Sequence, residues 1–280
     1  MGYTAAMNHD TYQERFDGIR RLYGEAGAAR IAQAHICVIG IGGVGSWAVE
    51  ALARSGVGAL TLIDPDEIAA SNTNRQLHTL SSTLGQQKGA VMAQRIGEIQ
   101  PDCRVQVLDT RIDEANQAEL LGGGYDYVID AIDQLRPKAA LLYHCKRNKI
   151  PVITTGGAGG MIDPTRIRIS DLSRTEHDPL AAKLRQRLRQ QYGFSRNPKR
   201  RFGIDCVYSE EQPRYPANDG GICHGKPGAA GVKLDCASGY GSATFVTASF
   251  GFTAVSRVLQ KIVEKEHRRD AENAEITGEA

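Results

Sequence analysis

The sequence has no C-x-x-C pair; its six cysteines, Cys37, Cys103, Cys145, Cys206, Cys223 and Cys236, are scattered. That scatter argues against a zinc knuckle, a thioredoxin-type motif or a disulfide framework, so no zinc and a reducing, cytoplasmic setting are expected. Cys37, inside an apolar strand pattern, reads as core. Net charge is nearly absent too: Lys and Arg number 34 against 32 Asp and Glu, a formal balance of +2. Contact with a polyanion would therefore have to come from a local cluster rather than from the overall field. Residues Met1 to Arg21 lack the apolar stretch of a secretory signal. No repeat of roughly 20 to 50 residues is visible. What remains, 280 residues of which 41% are hydrophobic, suffices for one sizeable core and a modest extension.

From 35 to 130 the chain alternates strand-like and helix-like patterns, which points to a parallel sheet flanked by helices. His35 to Gly40 reads as a strand, Ser46 to Ser55 as a helix and Ala59 to Ile63 as the next strand. A second unit follows, with helices over 85–99 and 113–121 and strands over 104–108 and 125–129. Beyond it, 137–148 suits a helix with proline in its first turn, 151–154 a strand and 166–169 an antiparallel edge strand. The regular alternation stops near 171. The expected division is a nucleotide core over 12–170, a basic helix and Gly/Cys-rich substrate region over 171–242, an apolar helix over 243–263 and a charged, fraying tail over 264–280.

Gly40-Ile41-Gly42-Gly43-Val44-Gly45 lies between the first strand and its helix, where missing Cβ atoms allow a phosphate to approach helix amides. Asp64, ending the next strand, is placed to accept from ribose hydroxyls, with Asp66 close behind. The two features together define a nucleotide-binding, Rossmann-like α/β fold with a mostly parallel sheet, a C-terminal insertion and a long apolar helix. A nicotinamide-dependent oxidoreductase would share them. The segment Ser71-Asn72-Thr73-Asn74-Arg75-Gln76 and Lys88 discriminate, because Arg75 and Lys88 converging on a glycine loop suit ATP, whose charge must be neutralised as pyrophosphate departs. Asp130 and Asp133 fall at and just past a strand's carboxyl end, where a carboxylate can hold magnesium; a helix N-cap is the alternative for Asp133 and structural duty for Asp130.

Two segments add partner chemistry. Between 181 and 201 stand Lys183, Arg185, Arg187, Arg189, Arg196, Lys199, Arg200 and Arg201, with no acidic residue. Leu180, Leu184, Leu188 and Tyr192 recur every four positions, so one side of a helix can pack while the cations meet RNA phosphates; a solvated face is the plainer reading. Residues 243–263 are mostly apolar and about as long as a bilayer span. Their Ser, Thr, Arg257 and Lys261 favour a buried or dimer-interface helix over membrane association.

With these residues assembled, the chain resembles the adenylating enzymes that include ubiquitin-activating enzymes and the molybdopterin-synthase and thiamine-pathway sulfur-carrier adenylyltransferases. That resemblance implies that Gly42, Gly43 and Asp64 hold the nucleotide, Asn72, Arg75 and Lys88 its phosphates, and Asp133 magnesium. It also implies a homodimer in which an arginine near the N-terminus reaches the neighbouring subunit's ATP. Gly18 stands where the usual arginine would fall, leaving Arg20 or, preferably, Arg21.

Within that family, 21–24 (RLYG), 154–160 (TTGGAGG), 178–183 (DPLAAK) and 235–239 (DCASG) resemble the tRNA threonylcarbamoyladenosine dehydratases. The implied activity is ATP-dependent cyclisation of threonylcarbamoyladenosine in tRNA through an adenylated carboxylate, with a sulfur-transfer protein as a possible further partner. The alternatives are activation of a ubiquitin-like sulfur carrier's C-terminus and, from another class, a non-catalytic RNA-binding module. Cys206, Cys223 and Cys236 are read as structural, with a thioester role as the competing reading.

Overall fold

The computed structural model describes residues 9–217, 220–223 and 241–277. The run His35–Ile39 forms β1 and pairs on both sides, parallel to β2 (Ala59–Ile63) and to β4 (Tyr127–Asp130). Alternation along β1 divides the interior. Ile36 and Val38 join one apolar cluster, and Cys37 and Ile39 join the other. Such two-sided burial explains the near-continuous apolar strands.

The sheet has seven strands in the order β3-β2-β1-β4-β5-β7-β6, with β3 at Arg104–Leu108, β5 at Val152–Thr155, β6 at Ile167–Asp171 and β7 at Asp205–Ser209. Only β6 runs antiparallel. A short separate pair joins β8 (Tyr215–Pro216) to β9 (Ile222–Cys223). Sequence patterning misses β7, which sits inside the sheet between β5 and β6 although it follows the basic helix by many residues. It also misses α1 (His9–Gln33), a helix interrupted by non-helical backbone at Phe16 and Gly24.

The other helices are α2 (Gly45–Arg54), α3 (Lys88–Ile99), α4 (Gln117–Leu120), α5 (Leu135–Arg147), α6 (Pro179–Gln191) and α7 (Thr244–Thr277). Two are shorter than expected, for local reasons. Gly85 at φ 78 leaves the helical region before α3, and Asp113 Oδ1 accepts from Ala115 N and Asn116 N in a turn that delays α4. Helices α2, α3 and α7 cover one face, and α5 and α6 the other.

The long apolar helix expected over 243–263 is corrected in character. Residues Val246, Phe250, Ala254, Val258 and Ile262 are buried at four-residue spacing, whereas Phe245 and Phe252 are exposed and Arg257 pairs with Asp205 at 2.7 Å. The helix is two-sided, and it runs on through the expected fraying tail to Thr277. Among the described residues no helix is long and apolar enough to cross a membrane, so the membrane-span alternative is withdrawn. Gly251 lets α7 pack tightly under the glycine loop, since a Cβ there would lie 2.7 Å from Val44 O.

Candidate active site

The order of strands reverses between β1 and β4, and ligands bind open α/β sheets at the carboxyl edge of such a switch point. The glycine loop lies there. Its glycines divide into two kinds: Gly40 has φ 86 and Gly45 packs so closely that a Cβ would fall 1.8 Å from Gly40 O, so the turn itself requires both. Above Gly42 a Cβ would meet only Gln76 Nε2, at 3.7 Å, whereas above Gly43 it would lie 3.2 Å from Arg75 Cγ and 3.5 Å from Thr247 Cγ2. The first turn of α2 carries no acidic residue. No carboxylate there offsets the partial positive charge of the helix start, which is left to attract an anion, although Ser46 N already donates to Gly42 O at 3.1 Å.

The loop is braced from below. Asp64, 6% exposed, accepts from Ile41 N at 2.6 Å and from Asp66 N at 2.9 Å. His78 Nε2 meets Ile41 O at 2.8 Å, and its Nδ1 is buried without a hydrogen-bond partner among the described residues. Burial, aided by Lys88, holds the His78 imidazole below its ordinary range against the opposing pull of the Ile41 carbonyl.

The two cations stand in different company. Arg75 Nη1 donates to Ser71 O at 2.8 Å and Asn74 Oδ1 at 3.1 Å, with no carboxylate partner among the described residues. Lys88, the first residue of α3, is buried, with Nζ 2.9 Å from Asp66 Oδ2 and 3.9 Å from Asp64 Oδ1. Asn72 Oδ1 accepts from Ala69 N, and Asn74 Nδ2 donates to Ser242 O at 2.8 Å, so both side chains hold the 70–76 turn in place. Trp47 Nε1 and Thr247 Oγ1 both donate to Arg75 O, which ties that turn to α2 and α7.

At the end of β4 the two aspartates separate. Asp130 is wholly buried against Lys138 Nζ at 2.9 Å and accepts from Thr154 Oγ1 at 2.7 Å, so of its two readings the structural one holds. Asp133 is exposed, and no hydrogen bond or ion pair involves it among the described residues. Its N-cap reading is corrected, because Gln134 occupies the N-cap position of α5. Among the described residues no group of three His, Cys, Asp or Glu could hold a metal.

Arg20 and Arg21 are both engaged within α1. Arg21 pairs with Asp17 at 2.7 Å, and Arg20 pairs with Asp17 and Glu25. In the basic segment Leu184 and Leu188 are buried as spaced. Lys183, Arg196, Lys199, Arg200 and Arg201 are exposed. Arg185, Arg187 and Arg189 are half-buried; Arg185 donates to Thr175 Oγ1, and Arg189 stacks on the Phe202 ring at 5.4 Å. Cys206 is fully buried, and burial pushes its thiol far up, which removes it as a nucleophile. Cys223 lies half-buried in β9, and Cys236 lies outside the described residues.

Sequence reasoning gave no role to Gln76, His78, Lys138 or Asp178, although Gln76 and Asp178 stand in motifs it quoted. Gln76 directly follows Arg75 in a motif already singled out, and Asp178-Pro179 is a readable helix start. No local signal announces that His78 braces the loop or that Lys138 neutralises Asp130.

A doubly wound sheet with an open glycine loop, a bracing acid and an uncompensated guanidinium at its switch point is a nucleotide-binding domain. The chain belongs to the ThiF family, whose model matches residues 16–276. It is 56% identical to the tRNA threonylcarbamoyladenosine dehydratase of Escherichia coli, over 93% of this chain and 97% of that protein. To the enzyme of the same name from Haemophilus influenzae it is 54% identical, over 95% and 99%. A crystal structure of the Escherichia coli tRNA N6-threonylcarbamoyladenosine dehydratase in complex with ATP superposes with a TM-score of 0.83 at 50% identity, covering 94% of this chain and 99% of that one.

Proposed function

We propose that this protein is an ATP-dependent enzyme that dehydrates threonylcarbamoyladenosine in tRNA by adenylating its carboxylate and closing a ring. The observation that carries the reading is Arg75, a guanidinium without a carboxylate partner among the described residues, whose side chain packs on Gly43 beside the open face of Gly42 at the head of α2. The similarity over nearly the full length of dehydratases supports the choice of substrate.

A carboxylate oxygen of the substrate attacks the α-phosphorus of ATP, the bond to pyrophosphate breaks, and an acyl-adenylate forms. We assign charge neutralisation on the departing pyrophosphate to Arg75 and Lys88, the latter by exchanging Asp66 for a phosphate oxygen. Gly40, Gly42, Gly43 and Gly45 form the phosphate loop; Asp64 braces it through Ile41 N and is assigned to the ribose side, and Asp66 holds Lys88 until the nucleotide arrives; Asn72 and Asn74 hold the turn that carries Arg75. Exposed Asp133 is the carboxylate that would hold magnesium, which needs few protein ligands because phosphate oxygens and water complete its shell and which would offset phosphate charge there. The substrate's carbamoyl group then attacks the activated carbonyl and loses a proton, and AMP departs with one carboxylate oxygen. The substrate ends one water lighter, ATP becomes AMP and pyrophosphate, and no enzyme nucleophile takes part.

Residues 12–170 are the adenylating core in this reading, and 171–242 meet the tRNA, its phosphates falling to Lys183, Arg196, Lys199, Arg200 and Arg201. A homodimer completes each site with Arg21 of the second copy, once Arg21 leaves Asp17. Mass spectrometry of tRNA nucleosides after incubation with ATP tests the activity. The expected product is threonylcarbamoyladenosine lighter by one water, with pyrophosphate released in step. Pyrophosphate release dependent instead on a small protein ending in Gly-Gly, with the tRNA nucleoside unchanged, would overturn the reading.

A further inference from the structure

The glycine run after β5 is occupied by a side chain from another element. A Cβ on Gly156 would fall 1.8 Å from Asp178 Oδ2, and that oxygen accepts from Gly157 N at 2.9 Å. The other oxygen, Oδ1, accepts from Ala181 N at 2.8 Å and so caps α6. Asp178 is only 3% exposed. The residue before it, His177, has φ 56, a left-handed conformation that side chains with a Cβ seldom adopt. Arg185, one of the cations, closes the same turn by donating to Thr175 Oγ1.

The run itself lies at the ligand edge. Thr154 is in register with Asp130, whose loop leads to Asp133, and Gly156 follows the end of β5 at Thr155. Its far end is bonded as firmly, with Gly160 O accepting from Arg214 N and Gly160 N donating to Gly241 O, both at 2.7 Å. An N-cap alone needs one acceptor, which Asn or Ser supplies as well as Asp. Here both carboxylate oxygens are used, one on the helix and one on the loop, and only an Asp presents two acceptors in that geometry.

We propose that Asp178 is a positioning residue that registers α6, and with it the basic segment that follows, on the Gly156–Gly160 run, so that tRNA held by that segment presents its modified base to the adenylation cleft. This rests on the function proposed above. Asp178→Asn keeps an acceptor for the helix cap but leaves Gly157 N facing an amide group. Gly156→Ala places a methyl where the carboxylate lies and breaks the same link from the loop side.

The test combines four measurements on each variant: ATP affinity, tRNA affinity with its salt dependence, the single-turnover dehydration rate with both ligands saturating, and the thermal midpoint. In both variants ATP affinity should stay within about twofold, and tRNA affinity within about threefold with an unchanged salt slope, because the phosphate-binding cations remain. The saturated rate should fall about tenfold or more, as small misplacements of bound reactants do. An unchanged rate would overturn the proposal. So would a rate loss matched by an equal loss of ATP-binding sites, which marks a merely structural residue, or a loss confined to tRNA affinity. Failure of the unmodified enzyme to dehydrate tRNA would overturn the functional reading instead.

Discussion

Two glycine runs lie on the same edge of one sheet, and they do opposite things with the space that glycine leaves. In the run after β1, Gly40 and Gly45 are required by the turn and the Arg75 side chain lies 3.2 Å from a Cβ on Gly43, but a Cβ on Gly42 would meet only Gln76 Nε2, at 3.7 Å. In the run after β5, the Asp178 carboxylate fills the space at Gly156, and the Arg214 backbone stands 2.8 Å from a Cβ on Gly160. The first run is therefore a cradle and the second a joint. Glycine content alone is silent on which is which; the deciding fact is whether protein already occupies the vacancy.

The aspartates between these runs repeat the contrast. Replacing Asp130 by Asn leaves the wholly buried Lys138 Nζ without its counter-ion, a loss of about 3 to 5 kcal/mol of stability. Asp133→Asn should leave the thermal midpoint unchanged, because Asp133 is exposed and makes no hydrogen bond or ion pair among the described residues. That variant and Arg75→Ala should instead lose about a hundredfold to a thousandfold in tRNA-dependent pyrophosphate release, on the order of 3 to 4 kcal/mol. Denaturant unfolding and a pyrophosphate assay separate the two outcomes, and a stable, inactive Asp130→Asn protein would erase the distinction.

A smaller effect sharpens the cradle itself. Gly45→Ala forces a methyl onto Gly40 O and should destabilise the protein by about 1 to 3 kcal/mol. Gly42→Ala should fold with near-normal stability but bind ATP more weakly, since its methyl would project where a phosphate is proposed to lie. Calorimetric titration with ATP and thermal unfolding of both variants check this; equal destabilisation would mean that Gly42 is also part of the turn.

The smallest effect concerns pH. His78, beneath the cradle, is held below its ordinary pKa by burial, so the folded state binds fewer protons than the unfolded chain. Its contribution to stability is complete above the unfolded value of 6.5 and is lost as pH falls through the folded one. Between those values the slope is at most about 1.4 kcal/mol per pH unit. Unfolding curves from pH 8 to 5 should show His78→Gln with a shallower decline than the parent, and parallel curves would remove His78 from the account.

What the sequence determined by itself was local. The strand-loop-helix-strand from His35 to Ile63, the glycine loop, Asp64 and the Arg75 motif are all legible because strand period, turn chemistry and helix starts act over a few residues. Tertiary structure alone decided which glycines stay uncovered, which aspartate is consumed by Lys138, and that Lys88 is paired with Asp66 while Arg75 keeps no carboxylate partner among the described residues. It also decided that β7 enters the sheet beside β5 and that Asp178 reaches back to Gly156. Those facts depend on which segments meet across the packed core. Contacts between distant segments are set by burial, whose periodic trace shows that a face is covered but not by which segment, and by satisfying every enclosed polar group, which leaves no periodic trace.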